Sequence, residues 1–302
     1  MDNGKEIRQI AFYGKGGIGK STIASNLAAA YAERGLNTML IGCDPKADCT
    51  RNLRGDVDIP SVLDVLREKG VAKLGLTELV GGKQVEMDEI VYKGYKGVLC
   101  VEAGGPEPAV GCAGRGVIVV VDLLKRLGLY DGFDLDVIIY DVLGDIVCGG
   151  FGMPLRRGLA DDVFIVTSAD YLSIYAANNI SKGIHRHASR EGSPLGGIVY
   201  NVRGAIDDFA LVEEFAQSVG SKVIGAIPTD TTIMECEIYA KTVIEYKPDS
   251  KIADMFRNLA TAIYENKETV SPTPLSKEAL AELAQRIRQK TREELLIGGV
   301  SG

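Results

Sequence analysis

Apolar runs recur along the chain at spacings that leave room for a helix between most of them. They are Ile7–Tyr13, Asn37–Cys43, Val98–Glu102, Asp136–Tyr140, Asp162–Ser168, Gly197–Asn201 and Lys222–Ile227. Most are nearly continuous Val, Ile and Leu, the mark of strands buried on both faces of a parallel sheet. Helix candidates lie between and after them: Ser21–Arg34, Ile118–Leu127, Tyr175–Arg190, Asp207–Val219 and Ile252–Glu265. This alternation predicts an α/β fold, a doubly wound and mainly parallel sheet with ligands at the C-terminal ends of its strands. No composition break, long linker or internal repeat divides the chain. After Pro272 and Pro274, Ser276 reads as the N-cap of a final helix with one apolar stripe, Leu280, Leu283, Ala284 and Ile287. The expected organisation is one domain over residues 1–270, with 271–302 a C-terminal tail that packs on the body or on a partner.

Composition narrows the function classes. The chain has 302 residues, 46% of them hydrophobic, enough to bury a sizeable core. A net charge of −7 argues against a nucleic-acid partner, because phosphate backbones are held by clustered Lys and Arg. No apolar run approaches the roughly 18 residues of a membrane span, and Met1–Glu6 lacks the apolar core of a signal peptide. The expected location is the cytoplasm, where the six cysteines stay reduced unless they bind something.

The first strand runs into Gly14-Lys15-Gly16-Gly17-Ile18-Gly19-Lys20-Ser21-Thr22, and a helix follows. Strand, G-x-x-x-x-G-K-S loop and helix make the phosphate-binding P-loop, which places the sheet in the P-loop NTPase type. Gly14, Gly16, Gly17 and Gly19 let backbone N–H groups crowd around phosphate oxygens, and the helix N-terminus adds its dipole. Lys20 is expected to reach the β- and γ-phosphates, Ser21 to hold Mg²⁺ and Thr22 to complete the loop. Lys15 is surplus to the cis site. It is either a solvated loop lysine or a group that completes a facing site across a dimer, as an arginine finger does in trans.

The second strand ends in Gly42-Cys43-Asp44-Pro45-Lys46-Ala47-Asp48, where Asp44 and Asp48 could orient water or Mg²⁺ and Lys46 could read phosphate. The run Val137–Asp141 ends in a carboxylate, the Walker-B pattern, so Asp141 is expected at the metal and Asp145 at the attacking water. Taken alone, each aspartate reads first as a turn or cap residue; together with the P-loop the balance reverses to a switch that hydrolyses ATP. Cys43, Cys49, Cys100 and Cys236 read as small core hydrophobes or neutral loop residues. Cys112 and Cys148 lie in Gly-rich loops whose bare backbone can donate to sulfur, as around iron–sulfur clusters. Two thiolates fall short of the four that a 4Fe–4S cluster takes, and a symmetric dimer supplies four. The alternative is two ordinary loop cysteines. His185 and His187, two apart on a helix, do not share a face.

These segments together resemble the nitrogenase iron protein family, the homodimeric ATP-dependent reductase components of nitrogenase and its relatives. The resemblance runs from about Arg8 to Pro274. It also takes in Gly104–Pro108, Gly111–Gly116, Tyr140–Asp145, Tyr175–Ile180 and Thr242–Tyr246. It implies that Cys112 and Cys148 of both subunits hold one 4Fe–4S cluster, and that Lys15 meets the other subunit's MgATP. It implies Asn201 and Asp230 near adenine and ribose, and Arg115 at the partner-docking face, a position that some members ADP-ribosylate. It further implies single-electron donation to a nitrogenase-type catalytic protein and re-reduction by ferredoxin or flavodoxin.

The sequence departs from the nitrogenase pattern at Cys49 (often Ser), Gly152 (often Ala), Met234 (often Gln) and Ser168–Ser173, which replaces a Met-rich segment. Relatives serving a nickel-tetrapyrrole cyclase or methylthio-alkane reductase are therefore alternatives. The chlorophyll branch fits worst, since the family pattern implies that it lacks the Arg115 loop. A positioning ATPase without a cluster and a cluster carrier are the competitors from other classes.

Overall fold

The computed structural model describes residues 6–70, 85–105, 113–144, 159–188, 192–203 and 207–298. Its strands are β1 (Arg8–Tyr13), β2 (Thr38–Gly42), β3 (Tyr92–Lys93), β4 (Leu99–Glu102), β5 (Val137–Asp141), β6 (Asp162–Thr167), β7 (Leu195–Asn201) and β8 (Val223–Ile227). They form one sheet in the order β3-β4-β2-β5-β1-β6-β7-β8. Every pairing is parallel except that of β3, a short antiparallel edge which the sequence reading did not anticipate. With only two residues, β3 carries no pattern to read.

Side chains of the central strands alternate between two cores. Ile10 and Phe12 of β1 join Val137 and Ile139 of β5 on one face. There they meet α1 (Lys20–Glu33) and α10 (Lys251–Glu265). Ala11, Tyr13, Ile138 and Tyr140 join the other core, under α4 (Ala113–Arg126), α6 (Tyr171–Ala188) and α7 (Phe209–Ser218). Burial on both faces is what the unbroken apolar runs require. The polar residues inside the first run have partners: Arg8 donates to Asp162 on β6 at 2.5 Å, and Gln9 accepts from the Tyr140 hydroxyl at 3.0 Å.

The remaining helices are α2 (Arg51–Arg54), α3 (Val62–Glu68), α5 (Leu129–Gly132), α8 (Thr231–Ile238), α9 (Val243–Tyr246) and α11 (Lys277–Gly298). Asp170 accepts from the Ser173 amide and carries the start of α6 forward to Tyr171, ahead of the expected Tyr175. The stripe Leu280, Leu283, Ala284 and Ile287 of α11 is buried against the body. Arg286 grips Glu214 of α7 at 2.8 and 2.6 Å, and Lys290 pairs with Asp208. His185 bonds the Pro272 carbonyl at 2.9 Å, a structural tie between α6 and the segment leading to α11. No helix among the described residues is long and apolar enough to cross a membrane.

Candidate functional site

Strands β2, β4 and β5 lie on one side of β1 and β6 to β8 on the other, so the C-terminal end of β1 opens at the reversal of strand order. The loop from Gly14 to Gly19 fills that place. Gly19 caps α1 with a left-handed backbone, φ 96°, and a Cβ there would strike Asn201 Nδ2. No side chain caps the N-terminus of α1. Its first-turn amides and positive dipole end therefore face the cleft, the usual arrangement for an anion.

The cleft has a volume of about 290 Å³. The P-loop forms its floor through Gly16, Gly17, Gly19, Lys20, Ser21 and Thr22. Asp44, Lys46 and Asp48 line one wall, Asp141, Val142 and Leu143 another, and Arg203 closes the rim. Lys20 Nζ donates to the carbonyls of Gly14 and Lys15 at 3.0 and 3.2 Å. Ser21 Oγ donates to Asp141 Oδ2 at 2.6 Å. Asp141 Oδ1 is buried and has no hydrogen-bond partner among the described residues. Burial raises the Asp141 pKa, outweighing the Lys20 charge and the neighbouring Cys49 and Ser21. A hydroxyl and a half-satisfied carboxylate beside a phosphate cradle fit a phosphate-bound divalent cation.

Other expected residues sit differently. Asp44 Oδ1 accepts from the Lys46 amide at 2.9 Å, so Asp44 shapes its own turn as well as facing the cleft. Asp230 caps α8, accepting from Thr232 at 2.7 Å. Asn201 lies under the P-loop, donating to Ile18 O at 2.6 Å. Gly14 stands behind the cleft, against the Val166 carbonyl. Thr22 donates to Glu237 of α8 at 2.7 Å. Lys15 is not among the residues lining its own cleft; its Nζ lies 3.7 Å from Asp170 Oδ1.

Arg203 was missed by the sequence reading, though it follows a strand whose C-terminal end should face the ligand; it donates to the Gly17 carbonyl. Cys112, Cys148 and Asp145 lie outside the described residues, and Arg115 falls in the first turn of α4. The segments leading to the two cysteines leave β4 and β5, which flank β2 at the edge of the sheet that holds the cleft. Gly144, on the segment towards Cys148, presses on the P-loop: a Cβ there would come within 2.6 Å of Gly16 N.

Residues 8–290 match the family described as 4Fe-4S iron sulfur cluster binding proteins, NifH/frxC family. "Nitrogenase iron protein 2" of Methanothermococcus thermolithotrophicus is 54% identical over 288 residues, 95% of this chain and 99% of that protein. The nitrogenase iron protein of Methanococcus voltae is 51% identical over the same shares. Among solved structures, the septum site-determining protein MinD complexed with Mg-ADP from Pyrococcus horikoshii OT3 has a TM-score of 0.64. The match covers 86% of this chain and 97% of that one. At 21% identity that likeness speaks for the fold alone. The chain belongs to the NifH/frxC family of 4Fe–4S cluster-binding proteins and is an ATP-dependent, electron-donating reductase component of the nitrogenase iron protein type.

Proposed function

We propose that the chain works as a homodimer that donates single low-potential electrons to a nitrogenase catalytic protein, coupled to MgATP hydrolysis. The observation that carries this reading is the end-to-end match, at 54% identity, to a relative named nitrogenase iron protein 2. The cleft supports the ATP half. In this reading the P-loop amides and Lys20 bind the β- and γ-phosphates, while Ser21 and Asp141 hold Mg²⁺. Asp44, Lys46 and Asp48 face the phosphate end from the β2 wall, and Asp145 orients the attacking water. The Lys15 ammonium lies beside Asp170 and does not line its own cleft, which supports a role on the facing subunit's nucleotide. The 4Fe–4S cluster, held by Cys112 and Cys148 of both subunits, supplies the transferable electron. Gly144 packs so closely on the P-loop that a Cβ there would collide with Gly16 N, which supports a coupling between the nucleotide and the chain that leads on to Cys148. Asn201 and Asp230 take the nucleoside side, Arg115 the docking face, and ferredoxin or flavodoxin the re-reduction. Residues 1–270 form the working ATPase domain, and 271–302 carry its covering helix.

A second catalytic partner, a nickel-tetrapyrrole cyclase or methylthio-alkane reductase, is the alternative, on the departure of Ser168–Ser173 from the nitrogenase pattern. Leu172 and Tyr175, at the start of α6 in and beside the departing Ser168–Ser173 segment, are exposed.

Anaerobic capture from source extract, with ADP plus fluoroaluminate as a γ-phosphate mimic, tests the proposal. Co-purification of a nitrogenase-type catalytic protein is expected. A tetrapyrrole-binding or sulfur-compound reductase in its place would transfer the chain to the second reading. Failure of iron-loaded protein to capture either would defeat both.

A further inference from the structure

Glu102 is a carboxylate with no exposed surface, at the end of β4 and behind the cleft. Its Oε1 accepts two hydrogen bonds from Thr50, from the amide and the hydroxyl, each 2.6 Å. Thr50 is itself buried, and Arg54 Nε donates to the same hydroxyl at 3.2 Å. Glu102 Oε2 has no partner among the described residues. It lies so close to Gly42 that a Cβ on that glycine would collide with it. The loop between Gly42 and Thr50 is thereby fastened at two points. Cys43 N donates to Asp141 O at 2.9 Å at one end, and Thr50 is held by Glu102 at the other. Between those points lie Asp44, Lys46 and Asp48, which line the cleft.

We propose that Glu102 is a positioning residue of the nucleotide site, which through Thr50 holds the Asp44–Asp48 wall against the P-loop and so sets the affinity for MgATP. The inference rests on the reading of the cleft as the MgATP site. Burying a carboxylate that leaves one oxygen unsatisfied is costly, and a core position with no function to serve would carry an apolar residue. Hydrogen bonds to the ionised form are about twice as strong as neutral ones, so the anchor tightens when Glu102 is charged. The groups facing it are Arg54 from α2, Asp141 from β5, the Cys43 and Cys49 thiols from the loop, and Cys100 on its own strand. Burial places its titration at about 7, with the Thr50 bonds and Arg54 opposing the rise and Asp141 adding to it.

The test uses anaerobically purified full-length protein and a fluorescent methylanthraniloyl-ATP with Mg²⁺. Glu102→Leu, which leaves both Thr50 donors unpaired, should weaken binding about tenfold or more. Thr50→Val, which keeps the amide donor, should weaken it about threefold. Glu102→Gln keeps an acceptor and lacks the charge. The ratio of its Kd to that of wild type should rise from near unity at pH 6 to severalfold at pH 8, while a residue that merely stabilised the fold would leave the ratio flat. Wild-type affinity in folded Glu102→Leu would overturn the assignment. If that variant does not fold, Thr50→Val at wild-type affinity together with a flat Glu102→Gln ratio would do so. Lys20→Ala separates the two readings: if it binds as wild type does, the cleft reading itself fails. If it is crippled while the Glu102 variants bind normally, the Glu102 assignment alone fails.

Discussion

The ends of β4 and β5 invite comparison. Both strands are fully buried, both end in a carboxylate, and the two acids stand opposite the same residue, Gly42, on either side of β2. Asp141 meets Ser21 and opens into the cleft; Glu102 meets Thr50 and turns away from it. Each keeps one oxygen without a partner among the described residues. The same pattern of apolar strand and acidic end has produced one group aimed into the cleft and one aimed at the loop that carries the cleft's wall. Strand position fixes burial and edge. What the neighbouring loop offers, a hydroxyl beside the P-loop or a hydroxyl beneath a turn, fixes the task.

Neutralising the cleft acid should have the largest effect. Asp141→Asn keeps an acceptor for Ser21 and removes the charge proposed to hold the metal, so MgATP hydrolysis should fall by roughly two to three orders of magnitude. Stability should move the other way. Because burial raises the Asp141 pKa, its contribution to stability is present below the unfolded pKa and lost as pH rises through the folded one. At neutral pH the asparagine variant should therefore melt higher than wild type. Phosphate release and calorimetry read the two effects separately, and an undiminished hydrolysis rate would remove Asp141 from the metal site.

Neutralising the scaffold acid sharpens the contrast. Burial pushes Glu102 up to about 7 in the folded chain, from an ordinary value of 4.5. Protonation therefore favours the fold: the stabilising contribution is whole below about pH 4.5 and is lost as pH rises through about 7. Glu102→Gln escapes that loss and should be more stable than wild type at pH 8, by on the order of 3 kcal/mol. Near pH 4 the two should be about equal. Denaturant titrations across this range decide it, and a stability difference that does not change with pH would contradict the burial argument. Gain of stability with loss of MgATP affinity is the expected signature of a group kept for function.

The sequence was most legible where local pattern and chemistry coincide. Unbroken apolar runs marked the strands from β1 to β8 except β3, and Gly14–Thr22 announced its own ligand because few backbones need glycine so densely. The acidic end of β5 reads as a metal carboxylate, while Leu99–Glu102, of the same form, reads only as a strand. Nothing local separates them: the difference lies in Thr50, far along the chain, and in strand order. Arg203 escaped for the same reason, since its contact with Gly17 spans nearly the whole sheet sequence. Asp44 was legible in both its readings, as turn former and cleft wall, because a short acid after a strand can serve both at once. The final helix left open what its stripe would cover; tertiary packing against α6 and α7, invisible in a periodicity, supplied the body itself.

A third acid completes the gradation with the smallest effect. Asp170 follows β6 as Asp141 ends β5, but its side chain is 40% exposed and pairs with Lys15 at 3.7 Å. Burial would raise its pKa, yet hydrogen bonds from Ser168 and Ser173 and the Lys15 charge outweigh it, and the net shift is downward. Its stabilising contribution is therefore present above the unfolded pKa and is lost only in acid, as pH falls through a value below 3.8. Asp170→Asn keeps the cap on Ser173 and deletes the charge, so stability at pH 7 should change by less than about 0.5 kcal/mol, and less still in high salt. Asp170→Ala also loses the cap and should cost about 1 kcal/mol more. A loss from Asp170→Asn as large as the Glu102 effect would mean that the charge at the end of β6 is buried by something other than this chain. The facing subunit, on whose nucleotide Lys15 is proposed to act, is the surface that would do so.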